Sequence, residues 1–218
     1  MQRKPKPKKG YLYLTYLVLT LVFYFNQVSA QTTNKKFNYK QGSVTLKNGK
    51  TIYGNVANIK HGFRDQLLDK IRIKPNDKSL SKKYRPSKIS GFSMGDRKFV
   101  SWRVKRNNAL LKEAYSIHSG KKHKVFELQS EGYLSIYLEY FLDDDLQIQS
   151  VPFFLKRDET IMVRATQGVF GLKRKFLSDY FADCPQLVDL IDENSITSPD
   201  EVATFYNNFK EEQLKLNR

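Results

Sequence analysis

The chain has 218 residues, with 38 Lys and Arg against 22 Asp and Glu, a formal net charge of +16, and a single cysteine, Cys184. One cysteine excludes an internal disulfide, so the fold must hold itself together by burial. No phosphate-binding Walker loop, Gly-x-Ser-x-Gly nucleophile turn or dinucleotide fingerprint occurs, which sets aside the enzyme classes that carry a linear signature.

Met1 to Gly10 contains Arg3, Lys4, Lys6, Lys8 and Lys9 and no acid, and Tyr11 to Phe25 is an apolar and aromatic run interrupted only by Thr15 and Thr20. Asn26-Gln27-Val28-Ser29-Ala30 follows, with small or apolar residues at the last and third-last positions before Gln31. This is the three-part form of a secretory signal peptide, with cleavage between Ala30 and Gln31. The alternative is a retained anchor, for which ~20 apolar residues are normally needed. Either way the basic flank keeps residues 31 onward on the outer side of the inner membrane, periplasmic or at the cell surface, and the two readings differ only in tethering. Gln31 in place of cysteine excludes a bacterial lipoprotein anchor. After cleavage no stable membrane span is expected.

Charge is unevenly distributed in the remainder. Between Gln31 and Phe126 there are 24 Lys and Arg against five Asp and Glu, a net +19, whereas Glu127 to Arg218 carries nine against 17, a net −8. A basic portion therefore precedes an acidic one.

Residues 31–41 read as a flexible lead-in, rich in Thr, Asn and Lys. Asn48-Gly49 between Ser43–Lys47 and Lys50–Ile59 predicts a β-hairpin, since both residues tolerate positive φ. A two-residue turn would place Leu46 opposite Thr51 and Val44 opposite Tyr53, a mixed match that leaves the register open. His61 to Leu68 fits either a loop or one helical turn. Lys70 to Lys74 alternates as a half-buried strand with a cationic outer face, and Pro75 to Pro86 reads as a polar loop.

A second hairpin is expected for Ser87–Ser93 and Lys98–Lys105, turning at Met94-Gly95-Asp96-Arg97, with Val100, Trp102 and Val104 on one face. Residues 106–123 are weakly patterned. Lys124–Gln129, Tyr133–Phe141, Gln147–Leu155 and Thr160–Arg164 follow as four more strands, and Pro152 places its strand at an edge or a bulge. After Gly168 and Gly171 the apolar spacing becomes helical: Leu172, Phe176, Leu177, Tyr180 and Phe181, then a helix opening at Pro185. The Ser198-Pro199-Asp200-Glu201 capping box introduces Val202, Phe205, Tyr206 and Phe209 on one helical face.

Together these elements predict an α+β fold: mostly antiparallel strands, as a meander or partly closed barrel, followed by two or three C-terminal helices. The expected division is a signal peptide over 1–30, the lead-in over 31–41, a β-rich domain over 42–165 and a helical segment packed on it over 166–214. The hairpin Gly42-Ser43-Val44-Thr45-Leu46-Lys47-Asn48-Gly49-Lys50-Thr51-Ile52-Tyr53-Gly54, the stretch Lys175-Phe176-Leu177-Ser178-Asp179-Tyr180-Phe181-Ala182-Asp183-Cys184-Pro185-Gln186-Leu187 and Phe205-Tyr206-Asn207-Asn208 resemble an uncharacterised family of exported Bacteroidota proteins. The resemblance covers the beginning and end of the mature chain and implies a compartment, with no activity and no site residues.

Three groups are weighed for chemistry. Cys184 has no local partner of the kind a nucleophilic thiol needs, and its place between Asp183 and Pro185 suits packing or capping. His118 and His123 flank Lys121 and Lys122, whose charges oppose a divalent ion, and Asp143-Asp144-Asp145 lacks the alternating ligands and glycine of a calcium loop. No catalytic, metal or cofactor site is assigned.

Lys82, Lys83, Arg85, Arg97, Lys98, Arg103, Lys105 and Arg106 form the candidate polyanion contact. Trp102 shares a face with Val100 and Val104 and is assigned to the core rather than to a stacking platform. For an exported chain the expected partner is an anionic envelope lipid or glycan, or another envelope protein, and not a specific nucleic acid. The leading function is a non-enzymatic envelope binding or assembly module with a basic surface. The alternative is a hydrolase of an envelope polymer using carboxylates drawn from Glu127, Glu139 and Asp143 to Asp145.

Overall fold

Eleven antiparallel strands and three helices follow one another in the computed structural model, which describes residues 38–57, 68–109, 112–145, 147–168 and 171–216. The expected signal peptide, its cleavage point and most of the lead-in, as well as the segment from His61 to Leu67, lie outside the described residues.

The strands are β1 (Lys40–Leu46), β2 (Thr51–Ala57), β3 (Ile71–Lys74), β4 (Lys82–Tyr84), β5 (Ile89–Met94) and β6 (Arg97–Ala109). They continue as β7 (Lys112–Ile117), β8 (Lys122–Ser130), β9 (Leu134–Leu142), β10 (Ile148–Lys156) and β11 (Ile161–Arg164). The order across the sheet is β4-β3-β2-β1-β5-β6-β7-β11-β10-β9-β8, and β8 pairs back onto β6. That last pairing closes β6 to β11 into a six-stranded barrel, with β1 to β5 running off β6 as an open sheet. The fold is α+β as expected, and the barrel is fully closed.

Alternation explains the barrel. Trp102 and Val104 of β6, Tyr115 and Ile117 of β7, Phe126 of β8, Tyr137 of β9, Phe153 and Leu155 of β10 and Met162 of β11 form one cluster, with every barrel strand contributing alternate residues. Trp102 meets Tyr137 edge to face at 4.9 Å between ring centroids and lies against Phe126, so it is a core residue. The opposite face of β7, β9, β10 and β11 presents Ala114, Leu134, Ile136, Phe154 and Val163 to the helices. These are α1 (Arg174–Tyr180), α2 (Pro185–Asp192) and α3 (Pro199–Leu216). The open sheet buries a separate cluster that includes Val44, Val56, Ile71, Ile73, Ile89 and Phe92.

The capping box forms as expected: Ser198 N donates to Glu201 at 2.9 Å, and Glu201 N donates to Ser198 Oγ at 3.3 Å. Cys184 is fully buried at the start of α2, where its carbonyl accepts from Leu187 N, so it packs. Among the described residues no helix is long and apolar enough to cross a membrane.

Four details depart from the sequence expectations. The first hairpin turns through three residues rather than two: Gly49 N bonds Leu46 O, Leu46 N bonds Lys50 O, and Gly49 has φ +83°. The extra residue shifts the register and sets Val44 opposite Ile52, an apolar match. Lys82–Tyr84, inside the expected polar loop, is strand β4. A three-residue edge strand led by two lysines carries almost no apolar pattern, which is how short edges avoid further pairing.

Residues 106–123 hold the end of β6, all of β7 and the start of β8. Their pattern is weak because charged Arg106 and Glu113 occupy inward positions near the barrel mouth, while small Ala114 and Ser116 face out. Pro152 lies in a strand flanked on both sides by β9 and β11. Its carbonyl accepts from Ala165 N, so its missing N–H faces the same edge, at the end of the short β10–β11 ladder. Lys173 N bonds the Ala165 carbonyl instead.

Candidate functional site

Two polar constellations grow out of this topology, one at a fork in β6 and one inside the mouth of the barrel.

The fork exists because one edge of β6 serves two strands in turn. β5 pairs with it as far as Val100, and β7 takes over at Val104. Between them Ser101, fully buried, donates from Oγ to Pro86 O at 2.7 Å, and Lys47 Nζ reaches from the first hairpin to Ser101 O at 3.2 Å. Pro86–Lys88 forms a 3₁₀ turn against this edge, and Lys88 O accepts from Lys47 N. Arg103 donates to His118 O at 3.2 Å and sits opposite His123 on β8. Burial lowers the pKa of the His123 imidazole, and the charges of Lys47 and Arg103 lower it further. Lys47, Arg103 and His123 thus form one electropositive neighbourhood, to which the exposed Lys88 is joined through its backbone carbonyl.

The eight basic residues singled out from sequence do not form a single surface. Arg103 belongs to the fork, and Lys105 follows it as an exposed residue two positions along β6. Arg85 is exposed immediately before the 3₁₀ turn. Lys82 and Lys83 are exposed on β4, at the far edge of the open sheet, and Lys98 is exposed beside the β5–β6 turn.

Arg97 is engaged elsewhere. It makes two bonds to Glu127, at 2.6 and 2.5 Å, and Tyr140 OH donates to the same carboxylate at 2.5 Å. Burial pushes the Glu127 carboxyl up, but the hydrogen bonds from Arg97 and Tyr140 outweigh it and hold the group below its usual range. Arg106 is also committed, in the barrel mouth. Sequence reasoning missed Lys47, Lys88 and His123 because a hairpin tip, a 3₁₀ turn and a distant strand meet only through pairing; no linear spacing announces them.

The mouth is lined by inward-facing residues at one end of β6, β7, β9, β10 and β11: Arg106, Glu113, Tyr115, Glu139, Phe153 and Arg164 surround a cavity of about 290 Å³ that Phe141 and Val151 complete. Glu113 bonds Arg106 at 2.6 Å and Arg164 on its other oxygen. Burial raises the Glu113 pKa, yet the two arginines more than reverse this and lower it overall. Deeper in, Lys124 bonds both Glu139 and Tyr115 OH, the latter at 2.9 Å. Burial depresses the Lys124 pKa, but its bonds to Glu139 and Tyr115 raise it, so the ammonium stays charged.

The carboxylates considered for hydrolysis are therefore dispersed. Glu139 is in the mouth with Glu113, Glu127 is on the outside of the barrel, and Asp143 accepts from Gln147 N and Gln149 in an exposed turn. His118 is a turn residue with φ +61° whose ring meets Trp102 edge on. Among the described residues no cluster of His, Cys, Asp and Glu is arranged to hold a metal ion. Comparison with known protein families, with curated proteins and with solved structures finds no match.

Proposed function

We propose that the protein is an exported cell-envelope protein that works by binding, holding an anionic lipid or glycan of the envelope against the basic fork of β6. The observation that carries this reading is the convergence of Lys47, Arg103 and His123, from three separate parts of the chain, on one junction that the exposed Lys88 joins through its backbone carbonyl. The resemblance to exported Bacteroidota proteins and the N-terminal signal pattern supply the compartment.

The hydrolase alternative has less support. Acid catalysis by a carboxyl pair needs one member protonated near neutral pH. Glu113 and Glu127 are both held in the opposite sense by bonded arginines.

The test compares vesicles of anionic and zwitterionic lipid with an immobilised acidic glycan across a salt series. Binding to one anionic surface should fall steeply with salt, because exposed charges are screened over about 10 Å at 0.1 M. Lys47→Glu, Lys88→Glu and Arg103→Glu together should abolish it, whereas Lys82→Glu with Lys83→Glu should leave most of it. The vesicle and glycan arms separate the two sources of anion. Equal binding to neutral vesicles, or retention of binding in the fork variant, would overturn the proposal.

A further inference from the structure

The β9–β10 hairpin outgrows the sheet that carries it. β9 leaves β8 after Leu138, and β10 meets β11 only at Phe153 and Phe154. From Glu139 to Leu142 and from Ile148 to Val151 the two strands therefore pair only with each other among the described residues. A two-stranded ribbon is marginal in water by itself and needs something to pack on. Near its tip this one has little: Phe141 on one face is 42 % exposed, and Leu142 and Ile148, directly opposite each other on the other face, are 39 % and 42 % exposed. Apolar side chains scattered singly on a surface need no explanation, but a group of them in one hairpin marks a contact.

The turn between the strands is acidic. Asp143 spends its carboxylate on Gln147 N and Gln149, whereas Asp144 and Asp145 are exposed. These charges disfavour insertion into a bilayer and contact with an anionic lipid or glycan. They call for a protein surface that combines cationic with apolar groups.

The chain carries such a surface itself. Lys105 on β6 and Ile161 on β11 both stand opposite Ser116 of β7, in one cross-strand row on the outer face of the barrel. Strands lie ~4.8 Å apart, so the two residues are about 10 Å apart along that row. Ile161 is 46 % exposed, and Arg103, two residues before Lys105 on the same face, is exposed as well. Lys121 and Lys122, exposed at the start of β8, add two further cations, Lys122 opposite Val104. Against these four stand Asp158 and Glu159 before Ile161, and Glu159 already lies 3.8 Å from Lys156.

We infer that the tip of the β9–β10 hairpin docks on the Arg103, Lys105 and Ile161 face of a second copy of this chain, with Asp144 and Asp145 against the cations and Leu142 and Ile148 against Ile161. Arg103 also belongs to the fork, so the inference rests on the same electropositive character as the envelope reading and makes the second copy a competitor for the anion there.

Two differently tagged copies of the full-length protein are mixed and co-purified across a salt series. Parent copies should associate, less so as salt rises. Asp144→Lys with Asp145→Lys should weaken association with itself about 10- to 100-fold, and Arg103→Glu with Lys105→Glu should do the same, because each sets like charges face to face. Mixing these two variants restores opposite charge at the contact and should restore co-purification, which a misfolded variant could not do. Ile161→Ser should weaken association without changing any charge. Vesicle and glycan binding is read on the same preparations, and the tip variant should retain it; its absence from every variant would count against the envelope reading alone. Failure of parent copies to associate, whether the tip meets another basic protein or none, would overturn the inference. So would association that survives both charge reversals, or two reversed variants that do not rescue each other.

Discussion

Asn207 on α3 reaches the start of β9 and clamps one residue at both ends of its peptide units. Its Oδ1 accepts from Leu134 N at 2.7 Å, and its Nδ2 donates to Leu134 O at 3.2 Å. Leu134 is fully buried, so truncating Asn207 to Ala removes two hydrogen bonds and leaves backbone groups with no access to water. At about 0.5–1.5 kcal/mol per bond, with a further penalty for buried groups left unpaired, the expected loss is about 2–4 kcal/mol. For a domain of this size that is a fall in melting temperature of roughly 4–16 °C.

Gly132 supplies an independent check on the same clamp. A methyl group there would lie 2.5 to 2.7 Å from the Asn207 side-chain amide, so Gly132→Ala must expel that side chain and incur the same loss. With Asn207 already truncated, the three atoms closest to the methyl group are gone. The substitution should then be neutral or stabilising by about 0.4–1 kcal/mol, through the unfolded chain. Urea unfolding of the two single variants and the double variant measures this directly. Costs that add to within about 0.3–0.5 kcal/mol would mean that the two positions act independently and would refute the clamp.

Asp183 accepts from Lys156 at 2.8 Å, Lys210 at 2.8 Å and Tyr206 at 2.7 Å. Burial raises its pKa, but these three bonds outweigh it and leave the folded carboxyl well below its usual range. Its contribution is thus complete above the unfolded value near ~3.9 and is lost as pH falls below that value; urea midpoints of Asp183→Asn should show a flatter acid limb than those of the parent chain. Burial also pushes the Cys184 thiol up. Its reaction with a thiol reagent should be limited by unfolding, and rapid labelling of the folded protein would contradict its place in the core.

What the sequence made legible was whatever is encoded by local period. Leu134, Ile136 and Leu138 on β9, the Asn48-Gly49 hairpin and the Ser198–Glu201 box all announce themselves within a dozen residues. The closure of the barrel does not. It depends on Lys98 to Val104 pairing with Lys122 to Leu128, a contact between strands whose own patterns are complete without it. The mouth was hidden for a related reason: Arg106, Glu113 and Arg164 occupy inward positions, and polar residues on the inner face make a barrel strand read as irregular. Arg97 and Arg106 looked like surface cations because charge is visible in a sequence and the partners Glu127 and Glu113 are not.

The pairing of β6 on both sides has a consequence for how the molecule comes apart. Over Lys98 to Val100 the strand is held by β5 on one edge and β8 on the other, and at Val104 by β7 and β8. Freeing the amides of this segment requires the open sheet and the barrel to let go together. These hydrogens should be among the last in the chain to exchange with deuterium, and the slowest of them should report the unfolding of the whole body rather than of either part.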